Sequence, residues 1–414
     1  MTRTCLFLFL ATLAAGCAAT VQQPGEESVN LLVFGDTGYD YDWLEVEDHE
    51  QPLDGRSYVI SELDDWIEDG RPIGEFRLSP FHLAQQTGGW VPATGLWRVS
   101  AAMRAWCADP ARCQAGLMLG DNIYPAGLTM GVDGRDDRAR FADLMVQPFE
   151  GLQAQAPDFV IYPVMGNHDW ETSREGALLQ AKWLDESPLY TMPGLWYQAV
   201  IAPGVEIFAI DTNLLLAGHT VMEETIGADG EPHPGDEVDA PEPWEVPLGA
   251  EREQAQWLER ALRESDARWK IVIAHHPAWS GSSGKYEQAK VLREALYPAL
   301  CRYADMLLAG HEHTLEIHTD DCRTALGEPD TVPLLTVVSG AAAKQRPLHT
   351  PFLAYQDRAY PQKKTVFVRG QVWGFASLTL GEEAGEITML TVPDTGAETA
   401  EEAFTFHFQR RSGR

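Results

Sequence analysis

The chain has 414 residues, with 31 Lys and Arg against 62 Asp and Glu, a net charge of −31, and 44% hydrophobic and 22% charged residues. This composition is globular and excludes wholesale disorder, and the length admits either two or three domains of about 150 residues or one large α/β domain with insertions. So acidic a chain excludes a nucleic-acid scaffold, and an anionic phosphate ester would need a dense local positive site, for which metal ions are the densest choice.

In chain order, Arg3 precedes an apolar run from Cys5 to Ala15 that ends in small residues. The run is too short for the roughly 20 residues of a membrane-spanning helix and reads as a signal peptide over residues 1–17. Leu13-Ala14-Ala15-Gly16-Cys17 resembles a bacterial lipobox with Cys17 as the lipidated residue, and plain signal cleavage is the alternative. The expectation is an exported protein of the cell envelope, periplasm or medium, touching a membrane only through a lipid on Cys17. Export admits disulfides. Cys107, Cys113, Cys301 and Cys322 allow three pairings. Proximity favours Cys107 with Cys113 and Cys301 with Cys322, and four buried free thiols are the alternative.

Five short apolar runs then end in a small residue and a cluster of Asp, Asn or His. Asn30–Phe34 leads to Gly35-Asp36-Thr37-Gly38, Ala115–Leu119 to Gly120-Asp121-Asn122-Ile123-Tyr124, and Phe159–Met165 to Gly166-Asn167-His168-Asp169. Ile271–Ala274 leads to His275-His276-Pro277, and Met306–Ala309 to Gly310-His311-Glu312-His313. Runs of this length without alternation predict strands buried on both faces, and groups at their ends converge on one rim of a sheet. Apolar residues at three- and four-residue spacing predict helices over Trp97–Trp106 and Glu251–Ser265, so the alternation is α/β. Trp196–Ile201 and Val205–Ile210 read as strands around Pro203-Gly204, and Phe375–Leu380 with Ile387–Val392 as a hairpin. Two acidic stretches, about 39–95 and 216–249, read as surface insertions.

Asp36, Asp121, Tyr124, Asn167, His275, His311 and His313 are oxygen and nitrogen donors in number sufficient for two metal ions sharing a carboxylate, with Asp121 the natural bridge. The absence of thiolates suits Zn, Mn or Fe. His311 and His313, two residues apart, fall on one side of an extended segment, whereas His275 and His276 point oppositely.

The series Asp36-x-Gly38, Gly120-Asp121-x-x-Tyr124, Gly166-Asn167-His168, Val272-x-x-His275 and Gly310-His311-x-His313 resembles the five-block signature of the purple acid phosphatases, within the calcineurin-like metallophosphoesterases. The resemblance covers Leu31 to about Leu380 and implies a phosphoesterase domain over 28–395, followed by a C-terminal extension over 396–414. It implies an α/β/β/α sandwich of two sheets with helices outside and metals at the strand ends. The implied function is hydrolysis of small phosphomonoesters by a metal-bound hydroxide. A phosphodiesterase acting on a nucleotide or lipid headgroup, and a catalytically silent metal-containing binding protein, are the alternatives. Residue by residue, it places Fe(III) with Asp36, Tyr124 and His313, and a divalent Fe, Zn or Mn with Asn167, His275 and His311, bridged by Asp121. Tyr124 adds a chemical reason for the ferric ion, because a phenol of reference pKa about 10 ligates well only as phenolate. His168 would protonate the leaving alcohol and Asp169 would orient it. One departure is that Ser280-Gly281-Ser282-Ser283-Gly284 stands where animal-type relatives carry a second active-site histidine.

Overall fold

The structure, a computed structural model, describes residues 28–411 except 41–42, 44–52, 85–87, 133, 218–220, 227–230, 239–249, 283–285 and 331. The signal peptide and Cys17 lie outside these residues, as do parts of both insertions. In chain order the strands are β1 (Val29–Phe34), β2 (Phe81–Leu83), β3 (Trp90–Pro92), β4 (Ala115–Met118), β5 (Val160–Pro163), β6 (Tyr197–Ala202), β7 (Val205–Ala209), β8 (Val221–Ile226) and β9 (Pro232–Val238). They continue with β10 (Trp269–Ile273), β11 (Met306–Ala309), β12 (Leu315–Asp320), β13 (Leu334–Ser339), β14 (Lys363–Arg369), β15 (Trp373–Leu380), β16 (Ala384–Val392) and β17 (Glu401–Gln409).

Two sheets result, in the orders β17-β16-β15-β1-β4-β5 and β14-β12-β13-β11-β10-β7-β6, together with the small hairpins β2-β3 and β8-β9. The central strands β1, β4 and β5 run parallel in the first sheet, as do β7, β10, β11 and β13 in the second. Alternation along β10 shows how the layers are held. Ile271 and Ile273 join the core between the sheets with Leu31, Leu117 and Ile161, whereas Val272 joins an outer core with Leu258, Leu262, Leu296 and Leu300. Those leucines come from helices Ala250–Glu264 and Tyr286–Tyr303. On the opposite outer face, helix Leu96–Trp106 buries Val99, Ala102 and Met103. This is the four-layer α/β/β/α sandwich the sequence pointed to.

Two expectations need adjustment. The segment 396–414 is no appendage. It carries β17, which pairs antiparallel with β16 and stacks Phe404 on Phe367 of β14 at 4.9 Å. Arg411 just beyond it is buried, and its guanidinium donates to the carbonyls of Ala304 and Cys301 and to Asp330. The insertion over 39–95 is partly folded, with helix Gly55–Glu68 capped by Asp54 and rings of Tyr58, Phe81 and Trp90 packed together. Both disulfides take the short-range pairing, Cys107–Cys113 and Cys301–Cys322.

Candidate metal centre

The carboxyl-terminal ends of β1, β4 and β5 meet those of β10 and β11 along one rim, and each end delivers one predicted donor cluster. Ladder bonds hold neighbouring ends level: Asp36 N–H donates to Gly120 O at 2.9 Å and Gly310 N–H to His275 O at 2.9 Å. Bonds between the sheets lock the halves together, with His311 N–H on Asp36 Oδ2 at 2.9 Å and the His275 Nδ1 against Leu119 O at 2.8 Å. Asp36, Asp121 and His311 all adopt left-handed backbone, with φ of 57°, 52° and 67°. That region is uncommon for residues with a side chain and is retained where the surroundings over-determine it. Close approach accounts for two glycines. A Cβ on Gly38 would lie 2.0 Å from Asn122 O, so no histidine fits there, and one on Gly166 would lie 2.1 Å from Asp121 Oδ1.

All seven predicted donors come together, in two groups. In the first, the Tyr124 hydroxyl is 2.7 Å from Asp121 Oδ2, 3.4 Å from Asp36 Oδ1 and 3.2 Å from His313 Nε2. In the second, His275 Nε2 is 3.1 Å from Asn167 Oδ1, 3.2 Å from His311 Nδ1 and 3.2 Å from Asp121 Oδ1. Asp121 therefore turns one oxygen to each group. His275 Nδ1 donates to Leu119 O, so in the neutral ring the Nε2 lone pair faces two oxygens and another ring nitrogen, and without a metal ion a second proton there makes the ring a cation beside Asp121. Acceptors aimed at acceptors in a buried place repel one another unless a cation lies between them. Ligand atoms of Asp36, Asp121 and His275 also fall within 4.8 Å of one another, as do those of His275, His276 and His311.

The electrostatics agree with that reading. Burial and the adjacent Asp121 hold Asp36 well above the usual carboxylate range, and burial with both carboxylates holds the Tyr124 phenol well above its own ordinary value. Burial works against Asp121 as well, yet His275, His168 and the Tyr124 hydroxyl outweigh it and keep it ionised. A buried carboxyl and a phenol that must shed protons to ligate, beside an ionised carboxylate, are a donor set completed by positive charge.

His168 is partly exposed beside the cluster, its ring 4.2 Å from that of Tyr124. Its Nδ1 faces Pro125 O at 2.5 Å and Glu171 Oε2 at 2.9 Å. Burial opposes its charge, but Asp121 and Glu171 outweigh that and raise its pKa. Asp169 does not touch the ring, contrary to the role expected for it. Its carboxylate accepts from the backbone of Asn122 at 3.0 Å, Ile123 at 3.1 Å and Gly166 at 2.8 Å, and from the Gln180 amide at 2.7 Å. It fastens the loop after β4 to the loop after β5, and Glu171 takes over the orienting contact.

Among the neighbours, His276 and the Ser280-Gly281-Ser282 stretch were noted in the sequence, whereas Arg346 and Glu316 were not. His276 bonds Thr212 Oγ1 at 2.8 Å and packs its ring 4.3 Å from that of His311. Glu312, buried between the two histidines of its loop, pairs with Arg346 at 2.5 Å and with the Ser282 hydroxyl. Ser280 Oγ and Gly281 N–H bind the buried Glu316 at 3.0 and 2.8 Å, so this part of the histidine-lacking segment is tied to buried carboxylates. Ser283 and Gly284 of that segment lie outside the described residues.

Comparison with known proteins places the geometry. The calcineurin-like phosphoesterase family matches residues 29–315. Purple acid phosphatase 17 of Arabidopsis thaliana is 30% identical over 230 residues, covering 54% of this chain and 57% of that protein. Purple acid phosphatase 4 of the same plant is 26% identical over 264 residues, covering 63% and 65%. The chain thus spans less than two thirds of the length of these relatives. Among solved structures, the purple acid phosphatase PPD1 from yellow lupin seeds superposes with a TM-score of 0.54 at 13% identity, over 94% of this chain and 55% of that one. GAP50, the anchor in the inner membrane complex of Plasmodium, superposes with a TM-score of 0.55 at 12% identity, over 93% and 90%. The match to more than half of the chain makes this protein a member of the calcineurin-like phosphoesterase family, similar in sequence to purple acid phosphatases.

Proposed function

We propose that the chain is an exported phosphoesterase with a binuclear metal centre that hydrolyses phosphomonoesters. The observation that carries this reading is the pair of ligand-atom clusters that share the two oxygens of Asp121, one around the Tyr124 hydroxyl and one around His275 Nε2. Asp36, Tyr124 and His313 would hold one ion and Asn167, His275 and His311 the other. Such a pair of cations clamps a phosphoryl group, neutralises its charge and supplies a nucleophile at neutral pH. The ion beside Tyr124 is read as ferric, because a hard trivalent charge best offsets the cost of ionising this buried phenol. Its partner is Fe, Zn or Mn.

The chain's own groups do the remaining work. Because Pro125 O and Glu171 fix His168 Nδ1 as a proton donor, Nε2 is left to carry the transferable proton. It donates to the phosphate oxygen and then to the departing alcohol, and Glu171 stabilises the charged ring meanwhile. Export follows from the signal-like residues 1–17 and is consistent with the two disulfides.

Purified protein assayed on phenyl phosphate and bis(phenyl) phosphate tests the reading. The monoester should be preferred, and His168→Ala should lower its kcat about 10²–10⁴-fold with metal content unchanged. A visible charge-transfer band lost in Tyr124→Phe supports the ferric assignment, whereas a colourless protein holding two zinc ions removes it. No turnover by metal-replete protein refutes the function, and a strong diester preference refutes the monoester assignment.

A further inference from the structure

In the first insertion, the turn that follows helix Gly55–Glu68 is wound around the buried Trp66. The indole Nε1 donates to Pro72 O at 3.0 Å, the Phe76 ring meets it edge to face at 5.4 Å, and the Arg71 guanidinium lies 5.7 Å from its ring centre. This turn touches the body of the protein at helix Thr350–Ala359 and at the loop after β10. Thr350 Oγ1 donates to Glu75 Oε2 at 2.9 Å, and Arg71 Nη2 to Ser282 O at 3.3 Å. The buried His349 joins all three. Its Nε2 lies 2.7 Å from Asp69 O, its Nδ1 accepts from Phe352 N–H at 3.2 Å, and its own N–H donates to Gly281 O at 2.7 Å.

Those partners fix the protonation of the ring. A backbone N–H only donates, so Nδ1 is the lone pair, and Nε2 carries the proton that Asp69 O accepts. Nδ1 is also the side-chain cap of helix Thr350–Ala359. A second proton can enter only at Nδ1, where it removes the cap and sets a positive charge at the positive end of that helix. Burial, with Arg71 nearby, holds the pKa of the ring below its ordinary 6.5 against the pull of Asp69. The Asp69 carboxylate is half exposed and paired with Arg71. The other acids around these elements have partners of their own: Glu75 has Thr350, Glu312 has Arg346 and Ser282, and Glu316 has Ser280 and Gly281.

We propose that His349 is an acid-sensitive latch: neutral, it holds the turn 69–77 against the loop that leads away from the donor cluster, and protonated, it lets that turn go. Ser282, fully buried where Arg71 reaches it, carries its hydroxyl to Glu312 between His311 and His313, so release uncovers one flank of the rim. The latch works whatever reaction the rim performs. Once released, the ring titrates near 6.5, whereas docked it titrates lower, so acid favours the released form increasingly as pH falls below about 6.5. The effect levels off below the docked pKa. At pH 5.5, one unit under the released value, the opening equilibrium should exceed that at pH 7.5 several-fold, with about 10-fold the ceiling.

Amide hydrogen exchange on the full-length chain at the two pH values, corrected for intrinsic rates, reads the release. Protection over residues 70–77 and at Phe352 should fall by that factor at pH 5.5 while β10 and β11 keep theirs. His349→Asn retains a cap acceptor but neither titrates nor extends to Asp69 O, so its turn should be weakly protected to the same degree at both pH values. Equal protection at both pH values in the parent would overturn the proposal, as would a pH-dependent loss that survives in His349→Asn. A loss confined to Phe352 would reduce His349 to a helix cap. Nitrogen NMR of the parent histidines needs no variant: it should show His349 with Nδ1 bare and Nε2 protonated at pH 7.5, and the opposite tautomer there would also overturn the latch.

Discussion

Replacing Asp169 tests whether the two donor groups are held in register by a single buried carboxylate. In Asp169→Ala the backbone N–H groups of Asn122, Ile123 and Gly166 lose their acceptor. Each buried donor left unsatisfied costs about 1–3 kcal/mol. Relaxation and removal of a negative charge beside Asp121 return part of this, so the expected net loss is about 3–5 kcal/mol, toward the upper end for a point substitution. The same change frees the residue after Asp121 and the residue before Asn167, so divalent metal should bind about 10–100-fold more weakly. Asp169→Asn should not rescue, because its amide would present hydrogens to the Gly166 N–H and the Asn122 Nδ2, which now donate to Oδ2. Urea unfolding with the m-value checked for constancy, together with a metal-binding isotherm, reads both effects. Stability within about 0.5 kcal/mol of the parent and unchanged metal affinity would refute this account.

Burial raises Asp305 from the ordinary 3.8 to about 6 although it accepts from Lys270 N–H and Arg411 N–H. Between those values the folded chain holds a proton that the unfolded chain has lost, so this group's contribution to stability falls as pH rises through the window and is level above it, by about 3 kcal/mol in all. The stability advantage over Asp305→Asn should therefore shrink between pH 4 and 6.5 in urea titrations, and a constant difference would count against it. Chain-entropy arithmetic ranks the disulfides. Removing Cys301–Cys322, which spans 21 residues, should cost about 3 kcal/mol, and removing Cys107–Cys113, which spans 6, about 2 kcal/mol. Double Cys→Ser variants compared by thermal unfolding check the order, and the reverse order would contradict it.

The donors were legible because each sits where an apolar run stops. Strand burial fixes the last apolar residue, and the next polar one has to emerge at the rim, so Asp36, Asp121, Asn167, His275 and His311 could be placed without knowing which strands pair. What a donor's neighbours do depends on contacts between distant stretches, which no local pattern encodes. Asp169 next to His168 invited an orienting role, yet the short helix Asn167–Trp170 turns it toward Asn122, and Glu171, one turn along, reaches the ring instead. Arg346 follows an alanine run with no motif of its own, and only the pairing of β13 beside β11 brings it to the rim. Strand β17 did carry a signal. Phe404, Phe406 and Phe408 alternate with Thr405 and His407 at the two-residue period of a strand, and the acidic residues before them concealed it.

The position of β1 in the first sheet sets the order in which the protein can be made. Asp36 rides on a strand whose neighbours are β4 on one side and β15 on the other, and β15 ends at Leu380. At ribosomal rates of about 5–20 residues per second, that second neighbour is translated roughly twenty seconds to a minute after β1. Until then one edge of β1 stays open to wrong partners, so assembly of the rim, and any loading of ions into it, waits for nearly the whole polypeptide to be synthesised.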